Sequence, residues 1–407
     1  MQACPYDALY IDPNTNTAAK CNFCAHRVEA NLEPACVIVC PTQAIIAGDL
    51  DDPAGKASRI VATEKVSVRK PYKGTKPKLY YKGIEGDLLE PTRLARQYTY
   101  AFAEQRDVRP AEESFDPGQT REVYDVAHAT PWGWKIAAYL WTKSVASGIM
   151  LVAAILMGFT SPSRLPLLTR GAPLASLLAL ALTSALLIFD LKRPERFLYL
   201  ITKPNFRSWL VLGGFILMGF GAANVAWLGY GIYKHRVPGF LLFLTAVLAI
   251  ASAVYSAFLF AQAKGRDLWQ SPMFLMHLLF HSFLAGGAAF VIMGAAAQDE
   301  RFMMNGSGFL CLFLPLTLLM VLAEVMIPHG NEETRLAMRK IVREEMSIQF
   351  WLACLGVGLI FPTILILSIL WTEFSPTLSL VAAVLTLLGV WSFEDLWVKA
   401  GQSVPLS

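Results

Sequence analysis

Apolar residues run almost unbroken from about residue 134 to residue 397, while the 133 residues before them are polar, charged and proline-rich. Eight apolar stretches stand out: 134–159, 173–189, 209–230, 240–260, 273–296, 309–327, 350–371 and 378–396. Each is near the roughly 17–25 residues a helix needs to cross a bilayer. None alternates as a barrel strand would, so all eight are predicted as membrane helices. Trp132, Trp134, Trp209, Trp269, Trp351, Trp371 and Trp397 sit at their edges, the depth that indole rings favour. The second stretch is short, and the eighth turns polar at its end.

Composition agrees with that division. Hydrophobic residues make up 55% of the 407 positions and charged residues only 16%, against about a quarter charged in soluble domains. An ordinary soluble protein and a disordered chain are excluded. The net charge of +4 is not gathered into a basic stripe, which argues against nucleic-acid binding. Eight crossings put the tail on the same side as the polar head. The loops and tail of that side hold twelve Lys and Arg against five opposite, so the positive-inside rule predicts a cytoplasmic head.

Seven cysteines divide unevenly. Cys311 and Cys354 lie in apolar runs, where a thiol is usually a small buried hydrophobe. Cys4, Cys21, Cys24, Cys36 and Cys40 crowd into the first forty residues. From Cys21 the spacing is C-x2-C-x11-C-x3-C-P, and Cys4 is likewise followed by Pro5. Thiolates suit iron–sulfur clusters or zinc. In two-cluster ferredoxin runs the cysteine before proline serves the other cluster. The pattern therefore predicts one 4Fe-4S site from Cys4, Cys21, Cys24 and Cys36, with Cys40 serving a second. A zinc knuckle is the alternative, but it leaves the fifth cysteine and the paired Cys-Pro steps unexplained. The other ligands of the second cluster would lie upstream of Met1, so the natural protein is expected to begin earlier. Residues 8–12 and the turn at 13–17 suggest a short hairpin. Residues 60–83 suggest a solvated connector or, alternatively, an edge strand.

The pieces ACPYDA, KCNFCAHR, PACVIVCP and GDLDDP, with weaker support from KPYKGTKPKLYY, make residues 1–83 resemble ferredoxin-like electron-transfer subunits of the dimethyl sulfoxide and polysulfide reductase type. From about residue 125, TPWGWKIAAYLWTKSVASG, FDLKRPERF and AGQSVPLS resemble the NrfD-type polysulfide reductase membrane subunit. The resemblance implies a heme-free helical bundle that binds quinone, here fused to its iron–sulfur subunit. The expected fold is a mainly α membrane protein: an α+β ferredoxin-like domain at 1–90, a linker at 91–133, an eight-helix bundle at 134–397 and a tail at 398–407.

Ionisable and polar groups in the predicted helices cluster in the half nearer the head: Lys143, Asp190, Gln262, His277, His281, Glu324, His329, Glu394 and Asp395. Such groups are costly in a bilayer and usually functional. Lys143, Asp190, His277 and Glu324 are the candidate proton-handling residues. Lys143, Asp190, Tyr255, His277 and His281 are the candidate quinone contacts, for menaquinone or ubiquinone. Bland alternatives exist: Lys143 pairs with Asp190, and the i, i+4 histidines are hydrogen-bonded core. The expected activity is electron transfer between a molybdopterin-type catalytic partner and the quinone pool of a bacterial or archaeal cell membrane. An ion-translocating protein with a regulatory cluster domain and a passive redox anchor are the rival readings.

Overall fold

A computed structural model describes residues 6, 8–11, 18–84, 89, 132–157, 166–191, 194–327, 329–371 and 373–404. The chain divides into two compact units, residues 1–38 with 43–130 and residues 39–42 with 131–407.

In the first unit, strand β1 (Tyr10–Ile11) pairs antiparallel with β2 (Ala18–Ala19), Tyr10 facing Ala19. These are the arms of the predicted hairpin; its turn lies outside the described residues. Short helices follow, α1 (Ala25–Val28), α2 (Ala35–Val39) and α3 (Lys56–Thr63). The 60–83 stretch departs from the expectation. Residues 60–63 finish α3, whose C-cap Glu64 is extended and pairs with Lys82. Strand β3 (Val66–Ser67) then pairs with β4 (Tyr81–Lys82), brought back by a turn with Gly74 at φ 68°. Glycine takes that left-handed conformation at little steric cost. Phe23, Leu32 and Leu79 are each more than half exposed, so this unit is poor in apolar core. Of the predicted linker, only Trp132 and Gly133 are among the described residues.

The second unit holds eight helices long and apolar enough to cross a membrane. They are α4 (Trp134–Met157), α5 (Leu167–Asp190), α6 (Trp209–Tyr233), α7 (Gly239–Ala261), α8 (Met273–Ala296), α9 (Glu300–Met326), α11 (Gln349–Ile369) and α12 (Pro376–Ala400), with α10 (Glu332–Arg343) between α9 and α11. The fifth expected span matches α8 at both ends, and α5 gains a turn of π-helix, Leu167–Gly171, at its start. Helix α9 begins nine residues before the predicted 309, because Asp299 caps it by accepting from Phe302 N at 3.0 Å. The polar run before 309 packs through Gly306, where an added Cβ would lie 2.7 Å from Gly287 O. Helix α12 continues past the polar Glu394 and Asp395, both buried, to Ala400.

Helices α4 and α8 form the centre, with most of their length buried, and α4 packs on α5, α7, α8 and α12. Up-and-down connectivity places the starts of α4, α6, α8 and α11, and the ends of α5, α7, α9 and α12, on one face. Side chains stitch that face. Trp132 and Trp269 stack at 4.8 Å, Trp269 Nε1 donates to Trp397 O at 3.2 Å, and Gln402 Nε2 donates to Trp132 O at 2.7 Å. Gly401 leaves room for the Trp269 ring, whose Nε1 would stand 2.0 Å from an added Cβ. Trp269 and Trp397 are thus buried packing rather than interface markers. Trp134 and Trp351, 61% and 47% exposed, fit the interface reading.

Candidate functional site

Cys21, Cys24 and Cys36 are free thiols, the first and last exposed and Cys24 half-buried, and Cys40 is buried. Cys4 lies outside the described residues. The Cys21-to-Cys24 step is a tight turn: Phe23 and Cys24 have φ 60° and 52°, and Cys24 N donates to Asn22 Oδ1 at 2.9 Å. Cys24 O then accepts from Arg27 N and Val28 N, launching α1. Among the described residues no three His, Cys, Asp or Glu side chains gather into a metal site. The donor chemistry still fits an iron–sulfur group. Free thiols sit on a unit with little apolar core, the condition in which a cluster staples a small fold.

The second unit contains a cavity of about 460 Å³ at the stitched face. Leu180, Leu217, Tyr139, Tyr255, Asp190 and Gln262 are among its walls. Behind Tyr255 lies Lys143, fully buried, its Nζ 4.8 Å from the ring centroid. Lys143 Nζ donates to Ser256 Oγ at 2.7 Å and to Ala253 O at 2.9 Å. Tyr139 OH donates to the same Ser256 Oγ at 3.3 Å. Gly213 opens the space for Tyr255: a Cβ there would stand 2.2 Å from the ring. Gln262 ties the face together, accepting from Trp209 N and donating to Arg207 O, both at 3.0 Å.

The anticipated residues therefore separate into two groups. Asp190 and Tyr255 line the cavity and Lys143 backs it. Lys143 takes its hydrogen bonds from α7 rather than from Asp190, so the anticipated ion pair is absent. It sits too deep in the bundle, beside the Ala253–Ser256 turn, to need the carboxylate at the end of α5. His277, His281 and Glu324 lie elsewhere, among α8, α9 and α12. His277 Nε2 is 2.7 Å from Glu324 Oε2, and His281 Nδ1 faces Glu394 Oε1 at 3.4 Å. Phe393 lies against both imidazoles, at centroid distances of 4.6 and 4.9 Å. His277 Nε2 is engaged by a carboxylate, and neither histidine is among the cavity walls. Tyr139, Ser256 and the pairing of Glu394 with His281 were not foreseen. For Glu394 the signal was available, a carboxylate two turns inside an apolar helix; for Tyr139 and Ser256 nothing in the pattern marked them.

The family described as polysulphide reductase, NrfD, matches residues 122–405, most of the chain. The chain belongs to the NrfD family. In this NrfD protein the first fifty residues match a second family, the 4Fe-4S dicluster domain. Relatives of that front portion include a tetrathionate reductase subunit of Salmonella typhimurium, 43% identical over 93 residues, 22% of this chain and 37% of the relative. A polysulfide reductase component of Wolinella succinogenes is 48% identical over 79 residues, 19% of this chain and 41% of the relative. The protein NrfC of Escherichia coli is 46% identical over 79 residues, 19% and 35%. The chain spans about two fifths or less of the length of these relatives. With eight apolar helices and an NrfD domain, it is a multi-pass membrane protein.

Proposed function

We propose that this NrfD protein is the electron-transfer and quinone-reacting subunit of a membrane oxidoreductase complex. Its N-terminal cysteines hold iron–sulfur clusters that carry electrons one at a time. Cys4, Cys21, Cys24 and Cys36 hold one cluster and Cys40 belongs to a second. A catalytic partner of the molybdopterin type, of which the reductase names of the relatives are the hint, handles the terminal substrate. The observation that carries the reading is the cavity: apolar walls for a prenylated ring, with two phenols at one end backed by a buried ammonium. Ligand sites are typically apolar with a few placed polar groups.

The residues divide the work. Tyr255 donates a hydrogen bond to a ring oxygen, while Tyr139 lines the same end of the cavity and donates to Ser256. Lys143 orients both through Ser256 and through its charge over the Tyr255 ring, a cation–π contact that strengthens when desolvated. Asp190, half-buried where α5 ends, accepts or returns a proton at the mouth. Leu180 and Leu217 exclude water. The excess of basic residues in the loops and tail of this face supports a cytoplasmic cavity mouth.

Two experiments test the proposal. The purified full chain should bind a quinone analogue, read by quenching of its tryptophans, and Leu217→Trp should abolish binding by filling the cavity. Tyr255→Phe should keep binding but lower quinol turnover of the complex about a hundredfold, the low end for a positioned proton donor. A wild-type chain that fails to bind the analogue removes the quinone reading. Separately, Cys24→Ala should cost about four irons per chain, one 4Fe-4S cluster, by chemical iron assay. Full iron content in that variant removes Cys24 from the ligand set.

A further inference from the structure

Buried side chains that exchange protons continue beyond the cavity, and the quinone reading gives them no task. At the junction of α4, α8, α9 and α12 they form a row. Ser271 Oγ donates to Glu324 Oε1 at 3.3 Å, and Glu324 Oε2 lies 2.7 Å from His277 Nε2. The His277 and His281 ring centroids are 5.9 Å apart. His281 faces Glu394, whose Oε1 also accepts from Ser144 Oγ at 3.2 Å. Lys143 lies within electrostatic range of Glu394, and its ammonium reaches Ser256, the partner of the cavity-wall Tyr139. Glu324, His277, His281, Glu394 and Lys143 are all at least nine-tenths buried.

The row spans a range of depths. At 1.5 Å per residue, Glu324 lies about 3 Å inside its helix end, His277 about 6 Å, Glu394 about 9 Å, His281 about 12 Å and Lys143 about 14 Å. The series starts at the stitched face and ends beside the cavity. Among the described residues, every buried ionisable side chain lies in this half of the bundle.

A merely structural pair of His–carboxylate contacts would satisfy its polar atoms. Here His277 Nδ1 and Glu394 Oε2 have no hydrogen-bond partner among the described residues. Two such atoms beside the two carboxylates give bridging water the polar partners it needs. The other charged groups on these elements point away from the row. Asp395 accepts from Gln349 Nε2 at 2.8 Å and from Lys399 Nζ at 2.6 Å.

We propose that this row is a proton conduit serving the cavity, opening at Ser271, so that quinone protons exchange on the same face as the cavity mouth and do not cross the bundle. The inference rests on the quinone reading. Oxidation of a quinol breaks two O–H bonds and releases two protons and two electrons. The electrons go to the chain's one-electron iron–sulfur carriers. Each proton leaves the quinol by way of Tyr139 and Ser256 to Lys143, passes to Glu394 and then to His281 and His277, and goes from Glu324 to water at Ser271. Each acceptor gains one proton as it gives up another, so every group returns to its starting state. Quinone reduction runs the same path inward.

The test uses the complete complex in oriented liposomes with pH-sensitive dyes inside and outside. Glu324→Gln and Glu394→Gln should each lower quinol turnover at least about tenfold and enlarge the solvent deuterium isotope effect. Affinity for the quinone analogue should hold within about twofold. Glu324→Asp should restore part of the rate, and Asp395→Asn should leave it unchanged. Wild-type protons should appear on the Ser271 side. Unaltered turnover and isotope effect in both Gln variants overturn the conduit alone, as does release on the opposite side. Equal slowing by Asp395→Asn also overturns it, by reducing the effect to bundle integrity. Loss of analogue binding by the wild type overturns the cavity reading and the conduit together.

Discussion

Gly286→Val is expected to leave no folded bundle. Helices α4 and α8 cross with no side chain between them. A Cβ at Gly286 would stand 2.3 Å from Gly148 O, and one at Gly148 would stand 1.9 Å from Ser282 O. Overpacking in a soluble core costs about 1–3 kcal/mol because neighbouring side chains shift. Here both obstacles are backbone, so the helices must part, and the cost should exceed about 3 kcal/mol. Parting them also undoes the Ser147–Ser282 contact at 3.1 Å. Small residues at such crossings are how membrane helices approach closely without a hydrophobic driving force. The check is thermal unfolding in detergent, followed by circular dichroism and gel filtration. Gly308→Ala, where no atom lies within 4 Å of the new Cβ, should unfold at or slightly above the wild-type temperature. Helix interiors favour alanine over glycine by up to about 1 kcal/mol. A Gly286→Val protein that unfolds with the wild type would show that the crossing tolerates separation.

Much of this architecture is legible in the chain, for reasons that also explain the gaps. A bilayer demands about twenty apolar residues per crossing, so the number of helices and most of their bounds follow from hydropathy. Their ends blur where burial replaces apolarity. Gly306 and its neighbours look polar yet continue α9 because glycine permits contact with α8. Glu394 looks like a helix terminus yet lies six residues inside α12, because His281 and Ser144 receive it. The cysteine motif announces its chemistry, since few functions need five thiols at that spacing. The membrane site is harder to read. Depth identified Lys143, Asp190, His277 and Glu324 as a group sharing one half of the bundle, but depth is one coordinate. Azimuth around each helix decides that Lys143 faces Ser256 rather than Asp190, and that the histidines face α9 and α12 instead of the cavity. Hydrophobic periodicity marks helix faces in water; in a bundle apolar on every side it carries little of that information.

Lys143→Met should nearly extinguish quinone turnover while leaving the bundle folded. Lys143 is the junction of the two features, because it orders Tyr139 and Tyr255 on the cavity side and lies within electrostatic range of Glu394 on the conduit side. Burying an ammonium costs several kcal/mol, a cost that the hydrogen bonds to Ser256 and Ala253 and the Tyr255 ring only partly offset. Methionine has a similar length and no charge, so removing the desolvation penalty compensates for the lost donor. Leaving Ser256 and the Ala253 carbonyl without their partner costs about 1–3 kcal/mol, and the net change in stability should stay within about 2 kcal/mol. Turnover has no such compensation. Tyr255 loses the charge over its ring and the conduit loses its first carrier, so the rate should fall at least about a hundredfold, within the range of positioned acid–base groups. Lys143→Arg should not rescue it, since a planar five-donor fork does not reproduce a compact ammonium bound to one hydroxyl and one carbonyl. Iron content and cluster spectra should match the wild type in both variants, which separates a defect at the quinone from a defect in electron supply. Wild-type turnover in Lys143→Met would show that the buried ammonium is a packing element, and the cavity's chemistry would then rest on Asp190 and the two tyrosines.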